Sequence, residues 1–254
     1  MMLAVLVACK HPEPAPEAVD GSLRWFFANF ETATDEEMRD ALGELDFAED
    51  QGVLDPLTAE EQATVELDGD KDPAKATGLF IAGPMTCTFE DLEATHWYPD
   101  QEALYEDRTG GERYDEYDRQ FTTDLDAYLA RETPYVWWET TYTVTVALST
   151  YTAFVVAGLR YVPEADGVGP IVIERDFMPS PAEFAGETDN YMEQDYQIEV
   201  LVPDGDTSRH AYAMWRDLRS FGIEDEDEGA QNLILDGLED FDRDTEKVCE
   251  VGGF

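Results

Sequence analysis

Few residues of this chain could do chemistry. Three histidines, His11, His96 and His210, could move a proton near neutral pH. His210 keeps two-residue register with Tyr212 and Met214, which turns it inward, and His96 and His210 are both expected as hydrogen-bonded structural side chains. With only these three histidines no ligand cluster is expected to form, so no metal is expected. Asp68-Gly69-Asp70-Lys71-Asp72 imitates the start of a calcium loop, but Pro73 stands where the hand motif needs Gly and Leu79 where it needs Glu. The run reads as a solvated acidic turn. A Gly-rich phosphate loop, a nucleophile elbow and a metalloprotease motif are all missing from the sequence. No catalytic residue and no cofactor are therefore expected.

Three arginines are more informative. Arg160 follows Phe154, Val156 and Gly158 at every second position, Arg175 follows Ile171 and Ile173, and Arg216 follows Tyr212 and Met214. Each therefore points inward from a strand, where an unpaired charge is very costly. With 59 acidic residues in the chain, the expected partners are internal: Glu139, Glu174 or Glu199. The other reading is that the guanidinium groups grip an anionic head group.

The elements that must position these groups can be read coarsely. Two helices are expected over 20–48: Leu23, Phe26, Phe27 and Phe30 share one face, and Thr34 with Glu37 forms a capping box. Residues 49–76 are acidic, carry prolines and read as a connection. A strand is expected at 77–85, then a helix capped by Thr88, with 97–113 a poor second helix. Strands are expected at 135–148, 151–162, 170–178, 194–202 and 208–217, the last two joined by a turn at Asp204-Gly205-Asp206. Residues 140–159 carry no charge and could span a bilayer by length. Their period-2 alternation and abundant Thr predict two paired strands instead. A helix over 229–250 closes the chain, with Ile234, Leu238, Phe241, Thr245 and Val248 in one stripe and Glu239, Asp240, Asp242 and Asp244 toward water. Gly237 in its interior is expected where another element comes close.

The fold class is thus α+β: a helical N-terminal segment, then an antiparallel sheet of about six or seven strands on a long C-terminal helix. The chain has 254 residues, 43% of them hydrophobic, and a formal net charge of −43. A field of that sign repels phosphate backbones, which excludes nucleic acid as a partner. The acidity fits adaptation to high salt or a cation-binding surface.

Leu6-Val7-Ala8-Cys9, after an apolar start, resembles the lipobox of bacterial lipoproteins. The resemblance implies that residues 1–8 are a signal peptide shortened at its start and that Cys9 carries a lipid anchor. Residues 9–19 would be the acylated Cys and its Pro-rich tether, in the cell envelope and, because Lys10 follows the Cys, at the outer membrane. Export would put Cys87 and Cys249 in an oxidising compartment, where a pair tends to close. From residue 77 the order of elements resembles the helix-grip fold of START-like proteins, in which a curved sheet wraps a terminal helix around an apolar cavity. That resemblance implies a START-like domain over 77–254, behind a helical segment at 20–76, and brings Cys87 near Cys249. It also implies a hydrophobic or amphipathic small molecule bound without catalysis. The candidate cavity residues are Trp138, Tyr142, Phe154, Arg160, Arg175, Tyr212, Met214, Arg216 and Phe241. The alternatives are a structural or protein-interaction lipoprotein with a filled core, its protein partners unspecified, and a START-like hydrolase or cyclase using His96 or His210.

Overall fold

A computed structural model describes residues 12, 14–45, 47–109, 114–146, 149–186, 189–220, 223–225 and 227–252. Cys9 lies outside them. The elements, in chain order, are α1 (Glu17–Asn29), α2 (Asp35–Leu42), β1 (Asp50–Leu54), α3 (Ala59–Gln62), β2 (Thr77–Met85), α4 (Phe89–Trp97), α5 (Gln101–Thr109), β3 (Glu116–Phe121) and α6 (Leu125–Leu129). There follow β4 (Tyr135–Val146), β5 (Ser149–Val162), β6 (Ile171–Phe177), β7 (Glu183–Phe184), β8 (Tyr191–Asp204), β9 (Thr207–Ser220), β10 (Ile223–Glu224) and α7 (Glu228–Val251). Helix starts are set by side-chain caps: Thr34, Thr58 and Thr88 each accept a hydrogen bond from the backbone three residues on. Helix α1 begins inside the stretch read as a tether, and α5 occupies the stretch read as a poor helix.

One antiparallel sheet runs β1-β2-β9-β8-β6-β5-β4-β3, with short β10 beside β9 and β7 beside β5. It has more strands than expected because β1 pairs with β2 from within the segment read as a connection, and β3 adds the far edge. The uncharged stretch forms the β4–β5 hairpin, closing at Val146 opposite Ser149. Among the described residues no helix is long and apolar enough to cross a membrane. Asp204 opposes Thr207 across Gly205-Asp206, with Gly205 at φ +65°, the left-handed backbone that glycine adopts freely.

The two faces of the sheet carry different layers. On one face lie α1 and α2, where Leu23, Phe26, Phe27 and Phe30 are fully buried against Ile173, Tyr196, Ile198 and Trp215. The rings of Tyr196 and Trp215 each meet Phe27 edge to face with centroids 5.9 Å apart. Trp137 lies flat over Gly158, where an added Cβ would sit 2.5 Å from the indole.

Arg160 and Arg175 belong to this layer and do not line a cavity. Arg160 donates to the carbonyls of Phe30 (2.8 Å) and Ala33 (2.7 Å) and pairs with Asp35 at 2.9 Å. Arg175 donates to the Phe27 carbonyl and pairs with Glu31. Both therefore satisfy carbonyls left open at the end of α1, where positive charge is favoured. The inference that each inward arginine is paired stands, but the partners are Asp35 and Glu31. Glu139, Glu174 and Glu199 are not those partners, because α2 and the turn before it bring acids of their own.

Asp225, beside β10, is buried with Oδ2 lacking a hydrogen-bond partner. Burial pushes its carboxyl up to about 7, against the pull of Arg216. The native state thus holds a proton that the unfolded chain releases near pH 4. The stabilisation is complete below that pH and lost as pH rises to about 7. Denaturant unfolding from pH 4 to 8 should show Asp225→Asn gaining on wild type across this window by on the order of 3 kcal/mol. Parallel curves for the two proteins would remove Asp225 as the cause.

Candidate functional site

The other face of the sheet is covered by α4, α5 and α7. Cys87, just before α4, is disulfide-bonded to Cys249 near the end of α7, with Cα atoms 5.4 Å apart. Around this bond, the Thr86 amide donates to Glu246 (2.9 Å), and the Tyr105 and Thr245 hydroxyls are 2.8 Å apart. Between sheet and helices lies a cavity of about 330 Å³.

Its wall is aromatic. Trp138 and Tyr142 rise from β4, Tyr212 from β9 and Phe241 from α7. Tyr105 of α5 stacks on Phe241 with centroids 5.6 Å apart. Arg119 of β3 sits 4.6 Å over the Trp138 ring and donates to the Tyr98 carbonyl, holding the end of α4 to the sheet edge.

The floor is charged, and the register explains why. Glu174 lies directly opposite Glu199, and Glu199 opposite Tyr212, so the two carboxylates share one face. Like charges placed so are destabilising unless something positive meets them. His96 of α4 binds Glu174 through Nδ1, and its Nε2 lies 3.8 Å from Glu199. His210 bridges Glu199 (2.7 Å) and Asp242 (3.0 Å). The result is an alternating row of five groups: Glu174, His96, Glu199, His210, Asp242. Burial pulls His96 down, but Glu174 and Glu199 outweigh it and push it up to about 9. His210, opposed in the same way by burial, is pushed up to about 10 by Asp242 and Glu199. Burial would raise the Glu199 carboxyl, yet the two imidazoles hold it below its usual range. Asp176, next to Glu174 on the same face, is driven well up by burial and by that neighbour, and its Oδ1 has no hydrogen-bond partner.

Of the residues proposed from sequence, Trp138, Tyr142, Tyr212, Arg216 and Phe241 line this cavity. Arg216 pairs with Asp195 at 2.9 Å, directly across from it in the sheet. Met214 faces the same way but packs on Leu79, Ile81 and Leu235 beneath α7, outside the cavity. Phe154 points to the opposite face. In the β4–β5 register Trp138 meets Ala157 and Thr141 meets Phe154, so Ala157 shares the cavity face and Phe154 does not. Two further readings are corrected. Asp242 turns to His210 and not to water. Gly237 has nothing within 4 Å of where a Cβ would stand, because it borders the open cavity and not another element. The expectation that no ligand cluster forms also fails: His96, Glu174 and Glu199 each offer an atom within 4.8 Å of the others. Residues 78 positions apart meet only through the fold. The exposed Asp68, Asp70 and Asp72 form an acidic turn.

No family model and no curated protein matches the chain. Solved structures with a similar fold include human STARD10, with a TM-score of 0.47 and 9% identity over 86% of this chain and 80% of that one. The START superfamily protein from Mycobacterium smegmatis gives 0.38 and 11%, over 69% and 97%. The STAR-related lipid transfer protein from Xanthomonas axonopodis gives 0.36 and 12%, over 68% and 97%. At these values the ligand has to be argued from the cavity itself.

Proposed function

We propose that this chain is a cell-envelope lipoprotein, anchored through an acylated Cys9 at the outer membrane, whose α+β domain binds a small amphipathic molecule without transforming it. The cavity carries this reading. A solid core would suit a purely structural or interaction role, whereas here about 330 Å³ stay open beneath α7. That volume is at the lower end of ligand pockets, which run from about 300 to 1,000 Å³. An aromatic wall and a charged floor suit a molecule with one flat apolar side and one polar side. The volume favours a compact molecule over a two-chain lipid.

Acid–base catalysis, the third possibility raised by the sequence, draws on the same histidines. Both imidazoles are pushed well above neutral pH by their carboxylate neighbours. They are charged anchors near pH 7, not free bases, which favours binding over turnover.

Organic extraction of the protein purified from its own membranes, followed by mass spectrometry, should release one dominant small amphipathic species. Ala157→Leu, which fills the cavity at the cost of some overpacking, should lower its recovery at least about tenfold while the protein still folds. Equal recovery from both proteins would place the molecule elsewhere. Labelling with a fatty-acid analogue tests the anchor separately: the label should be lost in Cys9→Ser and kept in Cys87→Ser.

A further inference from the structure

We infer that the cavity floor is a binding site for one divalent transition-metal cation, held by His96, Glu174 and Glu199. The sheet forces the two carboxylates together: β6 and β8 place Glu174 and Glu199 directly opposite each other on the cavity face. The imidazole comes from a different layer. Helix α4 brings His96 over them, and one ligand atom from each of the three residues lies within 4.8 Å of the others.

A second observation points to a missing ligand. His96 Nε2 is buried with no hydrogen-bond partner, on a side chain that is only 10% exposed. It faces Glu199 Oε2 across 3.8 Å, too far for a hydrogen bond and somewhat wider than the roughly 3.4 Å between two ligands on one tetrahedral cation, a gap that a small closing movement would fit to a metal. Asp176 Oδ1, next along the same strand face, is likewise buried without a partner. The surroundings resemble those that usually support a metal-bound carboxylate. Glu199 is held from behind by His210, itself fixed by Asp242. Arg119 does not fill the gap, because its NH1 donates to the carbonyls of His96 and Tyr98.

One imidazole and two carboxylates suit zinc or manganese over the softer ions that thiolates select, and the cation takes the place of the proton on His96, which is released on binding. Three protein ligands leave at least one position open toward the cavity, as in metal sites that also take a small molecule. The site stands whether or not an organic ligand enters above it, and it is tested with the metal alone.

The test uses the full chain carrying Cys9→Ser, stripped with chelator, so that the thiol two positions before His11 takes no part. Calorimetric titration with Zn²⁺ or Mn²⁺ is run in about 1 M salt, where the screening length is about 3 Å and diffuse binding to the acidic surface is suppressed. One saturable equivalent per chain is expected. His96→Gln should abolish it, and His210→Gln, which loosens Glu199 from behind, should weaken it about 10–100-fold. Asp70→Asn in the exposed acidic turn should leave it unchanged. Cobalt in the same chain should give a visible spectrum of nitrogen and oxygen ligation without a thiolate band, a readout that needs no variant to fold. Uptake that is weak, non-stoichiometric and erased by salt would overturn the site, and so would His96→Gln titrating like its parent.

Discussion

Removing the Cys87–Cys249 bond should lower the free energy of unfolding by about 4–5 kcal/mol. The crosslink joins residues 162 positions apart, and a loop of that size takes much of the entropy from the unfolded chain in the chain-entropy model. Two measurements check this. Urea unfolding of Cys87→Ser and Cys249→Ser should give the same loss, and the double variant should lose no more than either single one, because each removes the same link. Wild type unfolded with a reductant should match the variants. A loss below about 1 kcal/mol would mean that the reduced unfolded chain keeps structure that already holds the two ends near each other.

The second large effect comes from Glu31. Its side chain is half exposed, whereas Arg175 is 2% exposed. The two ends of this pair therefore respond differently to mutation. Glu31→Ala leaves a guanidinium buried over Phe30 and Trp137, its remaining polar contact the Phe27 carbonyl, and should cost about 3 kcal/mol. Arg175→Met removes the buried charge and lets Glu31 return to water, so it should cost less than half as much. Burial, against the pull of Glu31, lowers the affinity of Arg175 for its proton below the usual arginine value, which agrees with a charge held at some expense. Chemical denaturation of the two variants ranks them directly. The reverse order would mean that the packing of the arginine stem matters more than its charge.

These two effects also show what the sequence could and could not tell. The capping threonines, the aromatic face of α1 and the hairpin at Asp204 are local features that need only neighbouring residues, and each lies where its pattern places it. The inward arginines were legible for the same reason, since period-2 alternation fixes the face within one strand. Their partners were not. Asp35 opens α2 and Glu31 lies in the turn before it, both more than a hundred residues away in sequence. Cavity membership failed at Phe154 because adjacent strands share a face only once the hairpin register is known, and a shift of one residue reverses it. The row from Glu174 to Asp242 was the least visible feature. It draws on α4, β6, β8, β9 and α7 together, and neither histidine has a ligand-type neighbour at a spacing that would reveal it.

Helix α7 is held unequally along its length. Covalent attachment fixes the end near Cys249, and salt-bridge contact with His210 fixes its middle at Asp242. The stretch from Glu228 to Gly237 has neither of these two ties; it is held by apolar packing, with Leu235 buried against Leu79, Ile81 and Met214, and it ends at the residue with free space beside it. A guest large enough to raise the roof at this half therefore has to part apolar packing, while the covalent and charged ties further along stay intact. Such entry asks the first ten residues of the helix to shift, not the sheet that forms the floor.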